Sequence, residues 1–144
     1  MNRKRRTEVL VKSDLSFLKK LSALIIDKYE VKEIEKPNNG LVMIKMRDSA
    51  KKNLFYLGEI LVTECKVMIG KVIGLGILKG NYKEKSYHLA VIDAAYNASL
   101  EEINLLDEYI EAIESELKSQ YTKDINNILK TKVDFNTLDE EVKA

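Results

Sequence analysis

The chain has one cysteine and one histidine in 144 residues. A lone Cys65 cannot form an intrachain disulfide, which fits a reducing compartment. With His88 the only imidazole, no zinc spacing exists and no metal site is expected. No Ser-His-Asp or Cys-His arrangement is supported either. Charge of one sign is also missing. The 24 basic and 23 acidic residues leave a net charge of +1, so nothing global draws the chain to nucleic acid or membrane. No apolar run approaches the ~20 residues of a membrane span. The basic start, Asn2 to Arg6, meets Thr7, Glu8 and Lys12 rather than a signal-peptide core. The expectation is a soluble, cytoplasmic protein. No internal repeat or low-complexity linker divides it, so one domain over residues 1–144 is expected. That length buries roughly two thirds of its unfolded surface without a staple.

What is present reads as α+β. A short helix over Arg3 to Lys12 leads to Ser13 or Asp14 as the cap of a second. Leu15, Leu18, Leu21 and Ile25 give that second helix one apolar stripe, with Lys19, Lys20 and Ser22 off it and wet. Alternation starting at Tyr29 predicts a strand, Pro37 to Gly40 a turn, and Leu41 to Met46 a second strand. Asp48 to Asn53 is a polar loop. Leu54 to Thr63 is a further strand, with a bulge at Gly58-Glu59. Val67 to Ile69 and Val72 to Leu78 extend the sheet around a tight Gly70-Lys71 turn. The sum is an antiparallel sheet of four to five strands.

Asn81 with Glu84, and Ser99 with Glu102, have the spacing of capping boxes for two more helices. Leu89, Ile92 and Tyr96 stripe the first, which holds Asp93 among apolar residues. Ile103, Leu106, Ile110, Ile113 and Leu117 stripe the second, a long C-terminal helix with a Glu114–Lys118 pair four residues apart. From Thr131 the sequence turns polar except for a few apolar residues, and a partly extended tail is expected over 131–144.

Candidate chemistry is sparse. Gly74 to Gly80 lacks both GxGxxG spacing and a Walker lysine-serine pair, so a glycine-bearing strand ending in a turn explains it. The other reading is that Gly76 and Gly80 leave room for a ligand or a partner's backbone. Lys79 and Lys83 flank that turn. His88 follows on the helix, where such a residue is ordinarily structural. Glu59 beside the bulge is either solvated or aimed at a partner.

Leu57-Gly58-Glu59-Ile60-Leu61-Val62-Thr63 resembles the Gly-Glu/Asp-x-x-x-Thr strand motif of the PhnG family. Members of that family are components of the bacterial carbon–phosphorus lyase core complex. Gly40 to Ile44, the set Gly74, Gly80 and Lys83, Ala90 to Ala94, and Val133-Asp134-Phe135 are similar to further family segments. Asn81 and Ser86-Tyr87 depart from the family pattern, and Tyr87 cannot serve as an acid where a glutamate is common. The resemblance implies a cytoplasmic assembly with subunits H, I and J, and with L for activity. It implies transfer of the ribose triphosphate of ATP to an alkylphosphonate, with adenine leaving and Mg²⁺ as the ion of the complex. No cofactor held tightly by this chain is implied. His88 and Lys83 would be the catalytic candidates and Gly76, Lys79 and Gly80 the nucleotide-binding ones. Glu59, Val133, Asp134 and Phe135 would face partners. The competing reading is an autonomous noncatalytic binding module or homo-oligomer that shares only the fold.

Overall fold

The computed structural model describes residues 1–50 and 52–143, with the backbone alone for 132–143. Along these the elements are α1 (Arg3–Lys12), α2 (Leu15–Ile26), β1 (Val31–Arg47), β2 (Leu54–Ile69), β3 (Val72–Lys79), α3 (Lys83–Asn97) and α4 (Ile103–Lys143). The class is α+β, with one antiparallel sheet in the order β1-β2-β3.

The described residues hold three strands rather than four or five, because two expected breaks do not interrupt pairing. Pro37 lies inside β1, where the register passes from Glu35↔Lys66 to Asn38↔Glu64. One extra residue is therefore absorbed as a bulge. A proline without an N–H is tolerated there because β1 is an edge strand. In β2, Thr63, Cys65, Val67 and Ile69 are buried while Glu64 and Lys66 are only partly so. The alternation runs unbroken across the polar residues and fuses two expected strands into one. The Gly58 bulge is found, as a register slip opposite Ile44 and Lys45. The Gly70-Lys71 turn joins the paired Ile69 and Val72.

One face of the sheet carries the core. Cys65 and Val67 of β2 sit beside Gly76 and Gly74 of β3, and α3 lies across them. The glycines are there for contact. A Cβ on Gly76 would fall 1.9 Å from the Ser86 carbonyl oxygen, and one on Gly74 would fall 2.3 Å from that of Ala90. Ser86, Ala90 and Ala94 recur every four residues, so α3 presents its smallest side chains to the sheet. Next, α2 packs on α3 through the buried Leu18, Leu21 and Ile25. Leu106 and Ile110 of α4 join the same core, while α1 meets α3 and α4.

Three local expectations change. Tyr82, not Asn81, is the N-cap of α3, and no side chain caps it. Glu102 forms no capping box; its carboxylate takes bonds from Lys28 Nζ at 2.9 Å and Tyr29 Oη at 3.1 Å. The helix α4 continues to Lys143, where an extended tail is expected from 131. The Glu114–Lys118 pair is formed at 3.5 Å.

Among the described residues β3 does not pair with β2 beyond Val62. There, residues 41–47 and 54–61 form a ladder with each other, and apart from the Gly80 N–H on the Leu61 carbonyl they stand as a two-stranded ribbon extending the sheet.

Candidate functional site

Two constellations and one surface concentrate the polar and unpartnered groups. The first is centred on Asp93, which is 6% exposed. Its Oδ1 accepts from Arg6 Nη2 at 2.7 Å, and its Oδ2 from Arg3 Nη2 at 2.9 Å. Oδ2 also accepts the Leu75 backbone N–H at 2.9 Å. Asn97, one turn on, donates to the Ile73 carbonyl at 2.9 Å. The free edge of β3 is thus occupied at Ile73 and Leu75 by side chains of α3. The Arg6 guanidinium lies 3.9 Å over the Tyr96 ring, and burial together with the Asp107 carboxylate pushes the Tyr96 hydroxyl well up. Two arginines on one buried carboxylate clamp α1 to α3 and β3. The sequence signal for it was available: one acid in the apolar run from Ala90 to Ala95, and a cluster of four basic residues, Arg3 to Arg6, with only Glu8 beside it.

The second is the turn after β3. Gly80 has φ +99°, and a Cβ there would meet the Tyr82 ring at 2.7 Å. Its N–H donates to the Leu61 carbonyl at 2.8 Å. The buried Thr63 hydroxyl donates to the Gly80 carbonyl at 2.5 Å and accepts the Tyr82 N–H at 3.0 Å. Thr63, the last residue of the strand motif, therefore locks the turn that launches α3.

The candidates from sequence do not converge. Gly76 is roofed by α3. Lys79 ends β3, exposed, opposite Val62. Lys83 lines an open groove of about 640 Å³ with Lys12, Asp14, Tyr82 and Glu84. His88 is half-buried elsewhere on α3. Its Nδ1 is 2.6 Å from the Oγ of Ser22, a residue that is fully buried rather than wet. Burial first, then Lys19, lowers the affinity of that imidazole for a proton. His88 thereby ties α2 to α3. Glu59 lies on the ribbon, opposite Met43. The side chains of Val133, Asp134 and Phe135 lie outside the described residues. Among the described residues no group of three or more His, Cys, Asp or Glu is placed to hold a metal ion.

The surface is the ribbon. Directly opposed residues of an antiparallel pair point to the same side, so its two faces can be read from the register. One carries Val42, Ile44, Met46, Phe55 and Ile60 and no charge. The other carries Leu41, Met43, Leu61, Tyr56 and Leu54, interleaved with Lys45, Arg47 and Glu59. The Tyr56 hydroxyl meets Met43 Sδ, and Lys45 Nζ lies 5.7 Å from the Tyr56 ring, consistent with that assignment. Nine large apolar side chains here are 42–63% exposed. A patch of this extent on a folded chain marks an interaction site.

Among the described residues no helix is long and apolar enough to cross a membrane. No curated protein matches the chain. The family model described as phosphonate metabolism protein PhnG matches residues 1–139, a span that takes in α1, the Gly58-Glu59 bulge, Thr63 and Asp93. The chain belongs to the PhnG family of phosphonate metabolism proteins.

Proposed function

We propose that the chain is a required, noncatalytic component of a cytoplasmic alkylphosphonate–ATP ribose-triphosphate transferase, acting with subunits H, I and L and assembling with J. Family membership over residues 1–139 carries the reading. The ribbon supports it, since a chain with this much unpartnered apolar surface is suited to an assembly. In the reaction a phosphonate oxygen bonds to the anomeric ribose carbon as the bond to adenine breaks. The base leaves with its electron pair and a proton, and the product is an alkylphosphonate ribose 5-triphosphate. When bound, Mg²⁺ would supply positive charge to the triphosphate, alongside basic groups of the assembly. The structural bonds of His88, Gly76 and Gly80 support a scaffolding role for this chain, leaving Lys79 and Lys83 as its exposed cations beside the Gly80 turn.

The test is adenine release, followed chromatographically, from ATP and methylphosphonate. The coexpressed H, I and L subunits are assayed with and without this chain. Release that requires the chain, and that the chain alone does not give, is the expected result. Equal release without it removes the proposal, and so does turnover by the chain alone.

A further inference from the structure

We infer that the ribbon of residues 41–47 and 54–61 is an arm enclosed from both sides by an apolar groove of a different protein; the inference rests on the chain being part of a hetero-assembly. The number of apolar faces selects the occupant. A surface that docks against a flat partner needs one apolar face. Here both faces are apolar, with Val42, Met46 and Phe55 on one and Leu41, Met43 and Tyr56 on the other, each 47–63% exposed.

A second copy does not satisfy this. A twofold axis sets the same patch against itself, so it covers one face of each ribbon and leaves the other wet. Reciprocal insertion would need an apolar slot on this chain. Among the described side chains, the grooves beside α1 are open and edged by charge, with Arg5, Glu8, Lys12, Glu114 and Lys118 around one and Lys12, Asp14, Lys83 and Glu84 around another, so neither closes over both faces of a ribbon.

Charge further defines the receiving groove. The uncharged face needs a wholly apolar wall. The other face brings Lys45 and Arg47 near the distal end and Glu59 nearer the body. The facing wall is therefore acidic toward the arm's tip and carries a donor opposite Glu59. Area is sufficient. Nine large apolar side chains, spread over both faces and about half exposed, give an exposed area on the order of the ~800 Å² per partner of a standard interface.

The test coexpresses the full chain with subunits H, I and J. Phe55 and Tyr56, neighbours on opposite faces, are replaced one at a time by photoreactive benzoylphenylalanine. Both positions should crosslink to one and the same partner protein. Crosslinks to a second copy of this chain, crosslinks from one face only, or a complex that forms with no crosslink from either position would each overturn the groove. Failure of the unsubstituted chain to join any complex would instead sink the assembly reading, and this inference with it. In parallel, Val42→Lys with Phe55→Lys, and Met43→Lys with Tyr56→Lys, alter exposed positions. Each pair should leave melting of the free chain unchanged and weaken association at least tenfold. A pair that melts with the parent and associates normally would also overturn the inference. Amide exchange across 41–46 reports the same event without substitution and should slow in the complex.

Discussion

Replacing Gly76 with alanine should unfold this chain several degrees early, although the change adds a single methyl group. The added Cβ would lie 1.9 Å from the Ser86 carbonyl oxygen and 2.6 Å from the Ala90 nitrogen. Both are backbone atoms of α3, so no rotamer change can make room and the helix must lift from the sheet. Overpacking a closed core costs about 1–3 kcal/mol, and the rigid neighbours set this case at the upper end. The alanine also narrows the unfolded ensemble, which offsets about 0.4–1 kcal/mol. The net loss is about 2 kcal/mol, or roughly 4–8 °C for a domain of this size. The assay is thermal melting of the free chain by circular dichroism, with urea titration as a second measure. Gly40→Ala is the control, because a Cβ there meets nothing within 4 Å, and it should melt at or slightly above the parent. If the glycine were kept for a ligand, the free chain would not register the methyl group. A Gly76→Ala chain that melts with the parent would refute the packing argument.

Four further outcomes are expected. Gly80→Ala, which sets a side chain at φ +99° against Tyr82, should lower stability by about 1 kcal/mol in urea titration, and an unchanged midpoint would contradict the strained turn. Asp93→Asn leaves the buried Arg6 uncompensated and should cost about 3 kcal/mol, with faster amide exchange at Leu75; wild-type exchange there would disprove the clamp. Hydrogen bonds from Arg5 hold the Glu114 carboxyl down to about 2, against 4.5 unperturbed. Since the folded value is the lower one, its stabilisation is full above about 4.5 and lost as pH falls toward 2. Melting temperatures of wild type and Glu114→Gln should therefore converge over that range, and a constant gap down to pH 2 would rule out the linkage. Burial, with Glu33 and Glu35 nearby, pushes the Cys65 thiol up to about 11, so alkylation at pH 8 should be slow in the folded chain and fast in guanidinium, and equal rates would show the thiol is not sequestered.

Local patterns were legible where one periodicity dominates. The stripes of α2 and α4, the Gly70-Lys71 turn and the Gly58 bulge could all be read from residue spacing. The strand count could not. Proline and asparagines beside glycine signal a turn, and only pairing along an edge strand lets Pro37 sit in a bulge instead. The capping boxes misled for a related reason. Glu102 has the right spacing for a local bond, but Lys28 and Tyr29 reach it from more than seventy residues away, and an ion pair outcompetes the cap. Ser22 read as wet because it is polar and off the stripe; His88, distant in sequence, makes it a core residue. Asp93 was visible as an anomaly but not as a clamp, since its partners lie on two other elements, α1 and β3. The glycine series was open between ligand and packing until the distance to Ser86 existed to decide it. The two-sided ribbon could not be foreseen at all, because alternation tells which residues share a face, not where the third strand stops.

The uneven guarding of β1 has a consequence for how the protein is made. Its first half is hard to extend with another strand: Lys32, Glu33, Glu35 and Lys36 carry charge, Pro37 lacks a donor, and two bulges distort the edge. The run Leu41-Val42-Met43-Ile44 has none of these protections and keeps a regular register. Such a segment is a template for intermolecular β-aggregation when left open. A copy left uncovered at that edge thus self-associates more as its concentration rises, visible as growing light scattering on concentrating the isolated chain. Keeping that edge covered, or the free chain dilute, then becomes a physical requirement of this sequence, written into four residues of one edge.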